Sequence, residues 1–227
     1  MPYRQRVAPA MSPVRSVISW PKRVDGSILA ATFAFSLSAM ALLAYFAIES
    51  ADRRRALAIL IYGATLVVCS FCSFLYNSFA WVRCRPILRY LDHAAIFLLI
   101  AGTYTPFAGS ELRGPLGFSV LQWVWALAGL GVVLKLVLFG AYDRLFVAVY
   151  VAIGWFIVTA GREALMAIAA PALLLLIVGG VVYTAGAIVF ARDRGRWTAP
   201  VWHSCVLAGS LAHFLAVIAL VVTTPGT

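Results

Sequence analysis

Long apolar runs and short polar breaks alternate along nearly the whole chain. Charged residues, Pro and Gly cut it into seven apolar segments, at about residues 27–48, 56–81, 91–108, 118–140, 145–160, 167–190 and 200–222. Most of them match the ~20 residues that a helix needs to cross the hydrocarbon core of a bilayer. The fifth is short, and its limits are the least sharply marked. Strand-type alternation of apolar and polar positions is absent. Helices are therefore the expected spanning structure, because each satisfies its own backbone polar groups in lipid. The pattern predicts an all-α membrane protein, a seven-transmembrane helix bundle over residues 27–223. A basic tail at 1–26 precedes it and a short tail at 224–227 follows.

Composition supports this and excludes other classes. Of the 227 residues, 63% are hydrophobic and 11% charged, too few polar residues to cover a soluble domain. The net charge of +10 is then not a nucleic-acid footprint. In a membrane protein an excess of Lys and Arg reports topology and contact with anionic membrane lipid. With the N-terminus cytoplasmic, thirteen of the 18 basic residues fall on the inner side and five on the outer. The C-terminus is then outside, as an odd number of spans requires. The dissenting stretch is "DRRR" at Asp52 to Arg55, which falls outside. The first 26 residues read as a cytoplasmic tail rather than a signal peptide, since no short apolar segment with a small-residue cleavage site follows. Cys69 and Cys72 form a C-x-x-C in mid-segment, where cysteine acts as a small hydrophobe more often than as a redox pair.

Topology gives each intramembrane polar group a depth. Ser73 and Asn77, in "SFLYN", lie near the cytoplasmic end of the second segment, four apart and so on one helix face. Asp92 and His93 open the third segment at the same level, and His203 opens the seventh. Ionisable groups at membrane depth cost about 2.5–3.5 kcal/mol on insertion scales and usually face a bundle interior or a watery cavity. Each also has a plainer reading. Asp92 caps helix 3, His93 sits at headgroup level, and His203 bonds a neighbouring helix. Lys135 snorkels to the surface, and His213, deeper in the last segment, packs or hydrogen-bonds without an acid partner.

The third segment carries a longer pattern. "LDHAAIFLLIAGTYTPF" at 91–107 resembles the signature of the bacterial hemolysin III family, within the progestin and adipoQ receptor superfamily that includes the adiponectin receptors. "SFLYN", "GGVVYTAGAIVF" at 179–190 and "WHSCVLAGSLAHF" at 202–214 agree in order. The resemblance implies a seven-helix bundle with its N-terminus inside, in a bacterial plasma membrane, and a zinc site near the cytoplasmic face. In the family pattern, Ser-x-x-x-His on helix 2, Asp on helix 3 and His-x-x-x-His on helix 7 surround the metal. Three His bind zinc, the Asp orients a water in the fourth position, and the Ser supports the oxyanion or the ligands. Such a site suits metal-assisted hydrolysis, and the adiponectin receptors are linked to ceramide hydrolysis.

Carried onto this chain, the resemblance matches Ser73 and Asp92 to the catalytic Ser and Asp, and His203 to the second His of helix 7. Asn77 stands at the helix-2 ligand position, and Ala199 at the first helix-7 ligand position. An alanine offers no donor, and an amide oxygen is a poor zinc ligand beside imidazole. Zinc is therefore expected to be weak or absent, with Cys69, His93 and Cys205 poorly placed to replace the missing histidines. Three functions follow as expectations. The first is a divergent hemolysin III-like protein with a degenerate zinc site and a lipid-interacting or membrane-homeostasis role. The second is a zinc-dependent lipid amide hydrolase with a rebuilt site. The third is a pore or cytolysin, as the family name suggests.

Overall fold

The computed structural model describes residues 19–79, 83–110, 115–138, 142–192 and 195–223. Eight α-helices follow one another among these residues: α1 (Trp20–Glu49), α2 (Arg53–Ser78), α3 (Arg85–Ser110), α4 (Pro115–Val137), α5 (Asp143–Gly154), α6 (Gly161–Met166), α7 (Ala170–Arg192) and α8 (Thr198–Thr223). A 3-10 turn, Phe156–Ala160, joins α5 to α6. Six of the helices, α1 to α4, α7 and α8, are long and apolar enough to cross a membrane. Many of their large apolar side chains point outward, as in Leu174, Val181 and Ile188 of α7.

Two contacts fix whether the chain passes through the bundle an odd or an even number of times. Asp25 near the start of α1 meets His203 near the start of α8. Arg55 at the start of α2 reaches the Leu220 and Val221 carbonyls at the end of α8, at 2.8 and 2.7 Å. The first and last helices therefore run parallel, which requires an odd number of passes. The six long helices supply six of them. The fifth pass is the broken run of α5, the 3-10 turn and α6, where the sequence pattern gave a short apolar segment at 145–160.

The ends of the segments shift for local reasons. Residues 20–26, expected in the tail, are helical, because Pro21 lies in the first turn of α1, where its missing N–H costs nothing. Helix α3 begins at Arg85 rather than 91, with Pro86 in its first turn. The expected ends at 81 and 140, the tail residues 1–18 and the tail at 224–227 lie outside the described residues. Asp52 caps α2 by accepting from the Arg54 and Arg55 amides. Part of the dissenting "DRRR" is thereby explained. Asp52 is a cap, and Arg55 satisfies the last carbonyls of α8, as a cation near a helix C-terminus should.

Lipid gives apolar helices no hydrophobic drive to associate, so the bundle depends on close packing and interhelical hydrogen bonds. Helices α2 and α3 fit closely at Gly102. A Cβ there would lie 2.0 Å from Thr65 Oγ1, so only a hydrogen lets the helices approach. Two large buried clusters and a small one at Ala108 result among the described residues. One large cluster joins α1, α2, α3, α7 and α8 around Leu43, Tyr62, Leu66 and Val217. The other large cluster joins α3, α4 and α5 around Phe97, Val124 and Tyr150. Ser36 of α1 and Ser70 of α2 hydrogen-bond at 2.7 Å, as do Tyr183 of α7 and Ser210 of α8.

Candidate functional site

At the end of the bundle where α1, α3, α5 and α8 begin, a cavity of about 40 Å³ lies between α1, α2, α3 and α8. Ser73, Asp92 and His203 all line it, so three of the five residues picked out in the sequence converge on one space. Asn77 and Ala199 do not line it. Both are exposed. The Asn77 amide turns back along its own helix and donates to the Ser73 carbonyl at 2.9 Å. Ala199 sits in the first turn of α8, one turn before His203.

His203 is 7% exposed and has a partner that the sequence reading missed. Its Nδ1 lies 2.6 Å from Asp25 Oδ1. A carboxylate accepts, so Nδ1–H is the donor. The expected bond to a neighbouring helix is thus present, with an acid on α1 as acceptor. Thr32, Ser70 and Ser210 also line the cavity and were likewise unforeseen. A signal for them existed in the spacing. Thr32 follows Asp25 by seven residues, and Ser210 follows His203 by seven, which is two helical turns on one face.

Two plainer readings are corrected. Asp92 does not cap α3, because the helix starts at Arg85 and places Asp92 two turns inside it. Lys135 does not snorkel. It is 3% exposed, its Nζ lies 4.4 Å from the Phe146 ring centre, and it donates to Asp143 Oδ1 at 2.6 Å. Arg89 pairs with the other Asp143 oxygen. His93 belongs to this second group and not to the cavity. Its Nδ1–H donates to the Arg89 carbonyl at 2.7 Å, and its Nε2 is 4.0 Å from Asp143. Asp143 thereby ties the start of α5 to α3 and α4.

A larger cavity of about 300 Å³ lies alongside, between α3, α5, α7 and α8. Its wall is overwhelmingly apolar. Ile96, Leu99 and Trp202 line both cavities and separate them. The polar exceptions include Tyr183, Thr184 and His213. His213 donates from Nε2 to the Leu176 carbonyl at 3.2 Å, so it hydrogen-bonds as expected. Gly179 makes room for it, since a Cβ there would lie 2.2 Å from His213 Cδ2.

Among the described residues, no group of three or more His, Cys, Asp and Glu side chains is placed to hold a metal ion. Cys69 lines the small cavity, and all four cysteines are free thiols.

The architecture and its polar end define the class: an integral, multi-pass, all-α membrane protein. The family profile described as "Haemolysin-III related" matches residues 27–214. The chain is 33% identical over 190 residues to the Hemolysin-3 homolog of Bacillus subtilis (strain 168), covering 84% of this chain and 89% of that one. It is 32% identical over 189 residues to Hemolysin-3 of Bacillus cereus, covering 83% and 86%. No solved structure matches it. The chain belongs to the hemolysin III family.

Proposed function

We propose that this chain is a lipid-interacting protein of the bacterial plasma membrane in which the zinc centre of its superfamily is degenerate. The observation that carries the reading is the pairing of the two cavities. An apolar space of about 300 Å³ shares a wall with a small polar space that has one imidazole and one carboxylate on it. The larger space has the size and lining of a small-molecule site, with a few polar groups among apolar ones. An acyl chain suits such a lining. Three zinc-type donors line the small space, Asp92, His203 and the Cys69 thiol, but among the described residues they are not grouped so as to hold a metal ion. Asn77 is turned to its own backbone, Ala199 has no donor, and His203 offers one nitrogen. No hydrolytic step is therefore assigned to Ser73 and Asp92. The two Bacillus relatives support the membrane chosen.

The test compares the natural chain with Asn77→His/Ala199→His, both purified from membranes in mild detergent. Zinc is measured by mass spectrometry, and bound lipid by extraction. The expected result is zinc far below one per chain in the natural protein and close to about one in the double variant, whose helix-2 and helix-8 pairs then match the family spacing. Acyl lipid should accompany both. Tightly held, stoichiometric zinc in the natural chain would overturn the degenerate centre. Protein free of acyl lipid would overturn the lipid role.

A further inference from the structure

We propose that the small cavity at Asp92 is a binding site for a monovalent cation, with sodium as the ion it fits. The inference rests on the reading above that this end of the bundle no longer holds zinc. It begins with charge. Asp92 faces a cavity on whose wall, among the described residues, there is no Lys or Arg. Arg89 and Lys135, on α3 and α4, both pair with Asp143 instead, while Asp92 feels the imidazoles of His93 and His203 and a hydrogen bond from Ser73. His203 holds its Nδ1 proton on Asp25, at 2.6 Å. Among the described residues, Asp92 forms no ion pair with a Lys or Arg, inside a membrane bundle where a lone charge is costly.

Donor chemistry then selects the ion. Besides Asp92, the wall presents the hydroxyls of Thr32, Ser70, Ser73 and Ser210, together with the His203 imidazole and the Cys69 thiol. Thr32, Ser70 and Ser210 are 6%, 6% and 1% exposed, so these oxygens face an interior and not water. The Thr32 hydroxyl donates to the Ile28 carbonyl at 2.8 Å. The Ser70 hydroxyl donates either to the Val67 carbonyl at 3.0 Å or to Ser36 at 2.7 Å. None of those three acceptors lines the cavity. The protons of Thr32 and Ser70 are therefore used within the helices, and their oxygen lone pairs remain for a ligand. Neutral hydroxyl oxygens around one carboxylate are a hard donor set. Their single negative charge is balanced by one positive charge, whereas a divalent ion would leave an excess. Size agrees, since a water needs about 10–15 Å³ and the cavity of about 40 Å³ has room for one dehydrated ion and a water.

The experiment follows thermal unfolding of the purified, full-length chain in detergent, with sodium, potassium or choline chloride at equal ionic strength. Equilibrium binding of radioactive sodium is measured in parallel. With sodium at ten times its dissociation constant, the midpoint should rise by about 3–6 °C over choline, saturably. The direct assay should find one competable site. Asp92→Asn should lose both signals, and Ser73→Ala should weaken sodium affinity several-fold. No difference between sodium and choline, together with no bound sodium, overturns the site. A sodium response that persists in Asp92→Asn overturns it as well. Stoichiometric zinc in the natural chain would instead bring down the reading on which the site rests. A chain that holds neither zinc nor sodium refutes the sodium site alone.

Discussion

At the scale of single residues, the family pattern in the sequence located the polar site but not its full membership. Ser73, Asp92 and His203 were legible because each belongs to a long local motif. Asp25 was not, because it is 178 positions from His203 and sits among the basic residues that precede the first apolar segment. Only the parallel packing of α1 on α8 brings the two together. The pair predicts a graded effect. Asp25→Ala leaves the His203 Nδ1–H buried without an acceptor, which should cost about 1–3 kcal/mol. Asp25→Asn keeps an oxygen acceptor in place and should cost clearly less. Thermal unfolding of the two variants in one detergent checks the order. Equal losses would mean that the negative charge of Asp25, and not merely an acceptor oxygen, holds the pair.

At the scale of elements, six helices were legible because roughly twenty apolar residues between charges leave little choice in a bilayer. The fifth was legible only as a short segment at 145–160, and its break was not, because the interruption depends on a side chain from another helix. At the break after α5, the Tyr104 hydroxyl accepts from the Ile157 amide at 2.9 Å. It donates toward the Gly154 and Ile153 carbonyls, at 2.8 and 3.1 Å. One phenol from α3 thus satisfies backbone groups that the broken helix leaves open, as lipid demands. The indole of Trp155 adds a bond to Thr184 of α7 at 3.0 Å. Tyr104→Phe removes the phenol and orphans the Ile157 amide, a loss of about 1–3 kcal/mol. Hydrogen exchange should rise first at residues 153–157. Uniform exchange across all helices would show that the break does not depend on Tyr104.

At the scale of the whole molecule, the odd number of passes agreed with the count of apolar segments, and it places both cavities inside one ring of helices. No single segment encodes either cavity, because each is what several helices leave unfilled. Ala187 of α7 is 5% exposed and lines the larger one. Ala187→Phe should fill that space and reduce co-purified acyl lipid several-fold while the chain still folds. Unchanged lipid would place the acyl chain elsewhere. The parallel contact of α1 with α8 also bears on synthesis. The ribosome makes Asp25 with the first helix and Asp92 with the third, yet His203 emerges only with the last. Until α8 inserts and docks between α1 and α7, Asp25 has no imidazole and the chamber around Asp92 lacks a wall. Nascent chains halted before residue 198 therefore hold the Asp25 and Asp92 carboxylates without the imidazole and the wall that α8 supplies in the finished bundle.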